Sequence, residues 1–338
     1  MSTVTLFFFI NLEIDKITKM KKYSKSILYI LIALVTIAIT SCSKSTDSPQ
    51  TDNTLTDIAS RKPDLKTFTQ ALNITGLAAT YKENGTRTIF APSNDAFTAY
   101  CTAKGYTTIN DIPVDQLKNL LLNHVINGTF QTSQLTTGYV KSFALGAAST
   151  TNNLSLYIDT TAGVKVNGVS NVVTSNIIAS NGAMHMVDTV IDLPTLAIHT
   201  SANLTLSTLA TTLALPAQAT VLANLTGTSL YTAYAPTNTA FTALDTELTG
   251  TGGIAALTDA NMMSILTYHI TNGSNLSSTF TEGLVVPTLL TPQSFTLQLT
   301  GGAKIKDVNN RIATITTTDI QCNNGVLHII DKVLLPTL

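Results

Sequence analysis

Tryptophan is absent from this 338-residue chain, cysteine occurs three times, and charged residues make up only 12% of it. Three cysteines cannot build a disulfide scaffold. With Lys+Arg 19 against Asp+Glu 20 the formal charge is -1, without the basic excess that a nucleic-acid partner demands. An apolar fraction of 44% rules out a charge-rich disordered chain, and the length makes two domains the leading expectation. What is plentiful instead is Thr, Ser, Asn, Ala and Leu, a composition that suits half-buried strands and polar loops.

The uncharged run Ile27 to Ser41 is 15 residues long, short of the roughly 20 that a membrane-spanning helix needs. It reads as the core of a signal peptide, preceded by the basic segment Met20-Lys21-Lys22-Tyr23-Ser24-Lys25. Residues 1–19, with Phe7, Phe8, Phe9, Glu13 and Asp15, fit no secretory amino-terminal region, which points to Met20 as the start of translation. The run closes on Ile39-Thr40-Ser41-Cys42-Ser43, which resembles the lipobox of bacterial lipoproteins. That resemblance makes Cys42 the expected lipidation site and residues 1–41 the segment removed. Lipid chains on Cys42 would tether the protein to an outer membrane or cell surface without spanning it. Residues 42–53, rich in Ser, Thr, Asp and Pro, are expected to be a flexible spacer. Leaving out residues 1–41 removes five lysines and two acids, so the remainder carries a net charge of -4.

The chain also repeats itself. Thr88-Ile89-Phe90-Ala91-Pro92-Ser93-Asn94-Asp95-Ala96-Phe97 returns as Thr232-Ala233-Tyr234-Ala235-Pro236-Thr237-Asn238-Thr239-Ala240-Phe241, and Leu121-Leu122-Asn123-His124-Val125 returns as Leu266-Thr267-Tyr268-His269-Ile270. Asn181-Gly182-Ala183-Met184-His185-Met186-Val187-Asp188 returns as Asn324-Gly325-Val326-Leu327-His328-Ile329-Ile330-Asp331. The offsets of 144, 145 and 143 describe two tandem domains, 54–195 and 196–338, with a period too long for a solenoid.

Each block has a local reading. Thr88 to Ala91 is β-prone, and Pro92 cannot donate to a ladder, so a strand should stop there. Ser93 or Asn94 can cap the helix that follows, with Asp95 in its first turn and Phe97 toward the core. Val114 to Val125 and Ala260 to Ile270 carry apolar residues at helical spacing. Asn-Gly predicts a tight turn using positive φ, followed in each copy by an apolar strand reaching to Pro194 or Pro336. Short strands are expected at Leu154–Ile158, Val164–Val166, Val172–Ile178, Phe295–Leu299, Lys304–Ile305 and Ile312–Ile315. Each copy is thus α+β, helical first and β afterwards.

These blocks, with the Asn-His and Tyr-His positions and the N-G-x-x-H-x-x-D endings that close on Leu-Pro, resemble the paired motifs of fasciclin-type domains. The resemblance implies two β-sandwich-like wedges with flanking helices that serve extracellular adhesion. Copy one departs from the family at Asn123, where Tyr or a similar residue usually precedes His; Tyr268-His269 keeps the pattern.

No chemistry-bearing signature competes with this reading. His185-x-x-Asp188 and His328-x-x-Asp331 fall on expected strands, where residues three apart point to opposite faces and cannot share an ion. His124 and His269 end apolar helices with no second ligand one turn away, so structural histidines are expected. Gly250-Thr251-Gly252-Gly253-Ile254-Ala255 spells a dinucleotide pattern but follows a helix where a strand is required. No G-x-S-x-G, H-E-x-x-H, P-loop or C-x-x-C occurs. Sequons such as Asn84, Asn127 and Asn224 read as loop composition. The sequence therefore predicts a non-catalytic, lipid-anchored adhesion protein without cofactor or metal, binding an extracellular protein, glycan or cell. The surface expected to do so comprises Tyr268, His269, Asn123, His124, Pro92, Asn94, Pro236 and Asn238. The alternative is a glycan-capturing accessory lipoprotein of a polysaccharide uptake system.

Overall fold

A computed structural model describes residues 53–338. The expected signal peptide, Cys42 and all of the spacer but its last residue lie outside them.

In copy one, helices α1 (Leu55–Arg61), α2 (Lys66–Ile74) and α3 (Leu77–Thr80) precede strand β1 (Arg87–Pro92). Helices α4 (Asn94–Lys104) and α5 (Val114–Leu122) come next, then β2 (Val125–Asn127), β3 (Gly138–Leu145), β4 (Asn153–Asp159), β5 (Lys165–Val166), β6 (Ser170–Ala179) and β7 (Gly182–Val187). The seven strands close into a barrel in which β1 runs parallel to β7 and the other neighbours are antiparallel. Copy two repeats the order with α6 (Leu196–Ala202), α7 (Ser207–Leu213), α8 (Ala219–Thr226), β8 (Tyr231–Pro236), α9 (Asn238–Glu247), α10 (Asp259–Tyr268) and β9 (Ile270–Asn272). It ends with β10 (Val285–Pro287), β11 (Ser294–Gln298), β12 (Lys304–Lys306), β13 (Ile312–Cys322) and β14 (Gly325–Ile330). Its sheet runs β10-β11-β12-β13-β14-β8-β9 and does not close.

Closure differs for a local reason. In copy one β3 is eight residues long and Ser142 pairs with Ile126 of β2. In copy two β10 ends after three residues at Pro287, which has no N–H to offer a neighbour. A single bond from the Leu289 amide to the Ile270 carbonyl, 2.8 Å, is what bridges toward β9.

The strand-proline-helix block forms as its chemistry dictates. Ser93 and Thr237 cap α4 and α9, accepting the amides of Ala96 at 3.1 Å and Ala240 at 3.2 Å. The apolar strand after Asn-Gly is shorter than expected, stopping at Val187 and Ile330. Beyond it Asp188 and Asp331 turn back to accept the amides of Asn171 and Thr314 and end the ladder. β13 runs well past the expected Ile315 because Gln321 and Cys322 continue to pair with Val326 and Gly325.

Each copy has two apolar centres. One lies between helices and sheet, around Phe68, Phe97 and Leu117 in copy one and Phe241, Ile265 and Leu327 in copy two. The other fills the sheet interior, around Phe90, Leu156 and Ile158, and around Tyr234, Phe295 and Leu297. Cys101 and Cys322 are buried, unpaired thiols.

The copies are joined by backbone and side-chain hydrogen bonds. Asn323, at the β13–β14 turn, donates its amide to Pro194 O (2.7 Å), and its own carbonyl and side-chain oxygen accept the amides of Ala148 and Ala147. Gln321 N donates to Ser155 Oγ (3.0 Å), and Lys141 Nζ reaches Ser155 Oγ and Asp319 O, both at 3.0 Å. His199 lies fully buried in this joint, its ring edge-on to Tyr139 with centroids 5.3 Å apart.

Candidate functional site

The repeated motif residues turn inward. His124 is fully buried at the end of α5; its Nδ1–H donates to Leu120 O (2.8 Å) and its Nε2 accepts the Ile191 amide (2.8 Å). His269 repeats both bonds, to Ile265 O (2.8 Å) and from Leu334 N (2.9 Å). An acceptor carbonyl on one nitrogen and a donor amide on the other fix the same neutral tautomer in both rings. Burial outweighs the helix carbonyl's pull and holds each ring's pKa down at about 4. His185 and His328 form a second pair, bonding Phe130 O and Asn275 O at 2.9 Å and accepting the amides of Asn176 and Asp319. Burial lowers their pKa as well. Among the described residues no group of three or more His, Cys, Asp or Glu could hold a metal ion.

The residues preceding the first pair differ in kind and agree in role. Asn123, fully buried, donates to the carbonyls of Ile191 and Asp192 and accepts the Ser142 hydroxyl. Tyr268, also buried, donates its hydroxyl to Ser294 O (2.7 Å) and accepts from Val308 N (3.3 Å); burial raises its pKa to about 12. Pro92 and Pro236 are buried at strand ends. Asn94 accepts the Thr67 amide and donates to Pro63 O, and Asn238 does the same with Thr208 N and Leu204 O.

The surface expected at these positions is therefore corrected. Tyr268, His269, Asn123, His124, Pro92 and Pro236 are interior, and Asn94 and Asn238 are half-buried staples whose amides are already spent on backbone. The physical reason is that the Asn, His and Tyr side chains bond backbone groups at helix and strand ends, while the two prolines pack at the ends of their strands.

The tight turn expected at Asn-Gly is present in both copies, with Ser180-Asn181 and Asn323-Asn324 as its two residues and the glycine opening the next strand. Asn181 Oδ1 accepts the Leu55 amide and its Nδ2 donates to Tyr81 O and Glu83 O; Asn324 does so with Leu196, Leu225 and Gly227. The glycines alone take positive φ, +156° at Gly182 and +146° at Gly325. A Cβ there would stand 2.2 Å from Arg87 O and 1.7 Å from Tyr231 O, so only glycine lets the parallel strands meet. Gly250 to Ala255 forms two single 3-10 turns, with Asp245 accepting the Ile254 amide.

Two features of copy two were not read from the sequence. From Leu193 to Leu244 the chain contains no Asp, Glu, Lys or Arg, so α6 to α8 and their connections are uncharged throughout, with Leu204, Thr205, Thr211, Leu215 and Thr220 exposed. The matching helices of copy one carry Arg61, Lys62, Asp64 and Lys66. A charge count taken in windows would have found this. The second feature is a cleft of about 330 Å³ beside the open β9–β10 seam, lined by Tyr234, Thr271, Asn275, Phe280, Val286 and Leu297 among others. A smaller hydroxyl-lined groove lies in copy one near Thr67, Gln70 and Thr108.

The paired histidine clamps, paired Asn staples and twice-used parallel closing strand show one domain built twice, and the Fasciclin domain family model matches at residues 63–194 and 206–336. The chain belongs to the fasciclin-domain family. Periostin of Homo sapiens is 30% identical over 75% of this chain and 28% of its own length. Transforming growth factor-beta-induced protein ig-h3 of Sus scrofa is 27% identical over 75% of this chain and 35% of its own. The chain thus spans about a third of the length of these relatives. A solved FAS1 domain pair from the insect cell adhesion molecule Fasciclin I overlaps 81% of this chain and 97% of that one, at 19% identity and a TM-score of 0.49.

Proposed function

We propose that this fasciclin-domain pair is a non-catalytic adhesion protein, lipidated at Cys42, that holds a matrix protein, glycan or neighbouring cell at an outer membrane or cell surface. The observation that carries this reading is the uncharged surface of α6 to α8. Centres of protein interfaces are depleted of charge, and a face of Thr, Ala and Leu desolvates without stripping water from ions. Thr is short and β-branched, so ordering it against a partner costs little rotamer entropy. The motif residues, being spent inside, hold the frame that presents this face. The joint at Asn323 and Pro194 lets two copies meet a partner together, which adds avidity where both engage.

Beads carrying the chain are expected to aggregate or bind cells with little salt dependence, since no ion pair is available on this face. Thr211→Lys with Leu215→Glu is expected to abolish that behaviour without moving the unfolding midpoint. Beads that behave as a scrambled-sequence control would overturn the adhesion reading. Saturable capture of a defined oligosaccharide on a glycan array, with no bead aggregation or cell binding, would assign the protein to polysaccharide uptake instead.

A further inference from the structure

The cleft at the seam of copy two is the place where copy one keeps a phenylalanine ring. Phe130 and Asn275 are the same position in the two copies. Phe130 N donates to Thr88 Oγ1 (2.9 Å) and Asn275 N to Thr232 Oγ1 (2.8 Å), and each carbonyl meets the equivalent histidine, His185 or His328, at 2.9 Å. In copy one the Phe130 ring packs on the interior cluster of Phe90, Ile126, Leu135 and Ile158. It lies so close over Gly128 that a Cβ there would be 2.6 Å from it. In copy two the equivalent Asn275 folds back on its own turn, donating to Thr271 Oγ1 (3.2 Å) and Asn272 O (3.1 Å). Its Oδ1, 3.8 Å away, is the nearest atom to a Cβ built on the matching Gly273.

The residues answering to Phe130's neighbours, namely Tyr234, Thr271, Phe280 and Leu297, line the cleft. Phe280 in place of Leu135 recovers part of the lost volume, and the open seam leaves the rest accessible. Among the described residues none that lines the cleft is charged. Two replacements also make its wall more polar than its counterpart: Tyr234 stands where copy one has Phe90, and Thr271 where it has Ile126. The Tyr234 hydroxyl itself is buried beside Thr271, so what Tyr234 turns to the cleft is its ring.

We propose that the copy-two cleft is a binding site for a neutral aromatic ring, supplied from outside the domain in place of the missing Phe130-type ring. The size is sufficient, since an apolar cavity of about 150 Å³ in an engineered core holds benzene. A charged ring is disfavoured because no counter-ion lines the walls. The ring comes either from a free small molecule or from an aromatic side chain of a partner, and the site recognises the same chemistry in both. This assignment is independent of the adhesion reading.

Fluorescence titration of the whole chain with 2-naphthol at neutral pH tests it, with N-acetyl-phenylalaninamide as a second probe. One saturable site per chain is expected. Binding of 2-naphthol alone assigns a free aromatic ligand, and binding of both probes assigns a side chain presented by a partner. Asn275→Phe, which restores the ring that copy one carries, is expected to weaken binding at least tenfold while leaving the unfolding midpoint unchanged or higher. Phe130→Ala is expected to open a second site in copy one; if that variant fails to fold, Asn275→Phe decides alone. Absence of saturable binding, or unchanged binding by folded Asn275→Phe, overturns the proposal.

Discussion

The imidazole of His269 accepts the backbone amide of Leu334 at 2.9 Å. With its other nitrogen on Ile265 O, the ring rivets the end of α10 to the last segment of the chain. His124 does the same between α5 and Ile191 in copy one. Removing either ring leaves a buried backbone amide, Ile191 N or Leu334 N, without its partner and opens a void. His269→Ala and His124→Ala are each expected to cost about 2–4 kcal/mol. Urea unfolding followed by circular dichroism measures this, and a loss below about 1 kcal/mol would show that the rivet is dispensable.

The same histidines make stability depend on pH in a definite direction. Their folded pKa values lie below the ordinary value of 6.5, at about 4 for His124 and His269 and about 3 for His199. Below pH 6.5 the unfolded chain takes up protons that the folded chain refuses. The contribution is therefore whole above pH 6.5 and is lost progressively as pH falls toward 4. The slope is on the order of 1.4 kcal/mol per pH unit for each such ring. Unfolding free energies at pH 7 and pH 5 should differ accordingly, and equal values would refute buried neutral histidines.

Glycine at the parallel strand pair is expected to be irreplaceable. Gly182→Ala and Gly325→Ala force a methyl into the carbonyls of Arg87 and Tyr231, at a cost of more than about 3 kcal/mol. Gly105→Ala, also at positive φ but with nothing within 4 Å of its added carbon, should cost only about 1 kcal/mol. Comparing melting temperatures of the three variants checks the distinction, which comparable losses would erase.

Asn94 and Asn238 should matter to folding and not to adhesion. Asn94→Ala strips two bonds and Asn238→Ala three from the starts of α2 and α7 and the turns before them, with an expected loss of about 1–3 kcal/mol each. Bead aggregation by the fraction that remains folded should be unchanged. Loss of aggregation at full stability would return these side chains to the binding surface.

The duplication and the α+β order were legible because they rest on local chemistry: Pro92 ending β1, Ser93 capping α4, Leu117 and Leu121 marking one helix face. The helices that open each copy passed unnoticed, since Thr and Ala along α6 to α8 blur the contrast between faces. β3 was missed because its pairing partner at Ile126 is distant in sequence. The site failed for another reason. A repeated Asn-His or Tyr-His looks the same in sequence whether it faces solvent or rivets backbone, and only the fold shows that Leu120 O and Ile191 N wait on either side of His124. The cleft was hidden in a single exchange, Phe130 for Asn275, whose meaning depends on knowing that both occupy one position.

Asn323 holds Pro194 with its amide and the 146–148 turn with its carbonyl and side chain, so the tip of one hairpin is latched onto the residue that closes the preceding domain. A load that drew the copies apart would have to break that latch before the connecting segment could lengthen. The pair would then resist as one link until the latch gave way, and slack would enter the chain only after it.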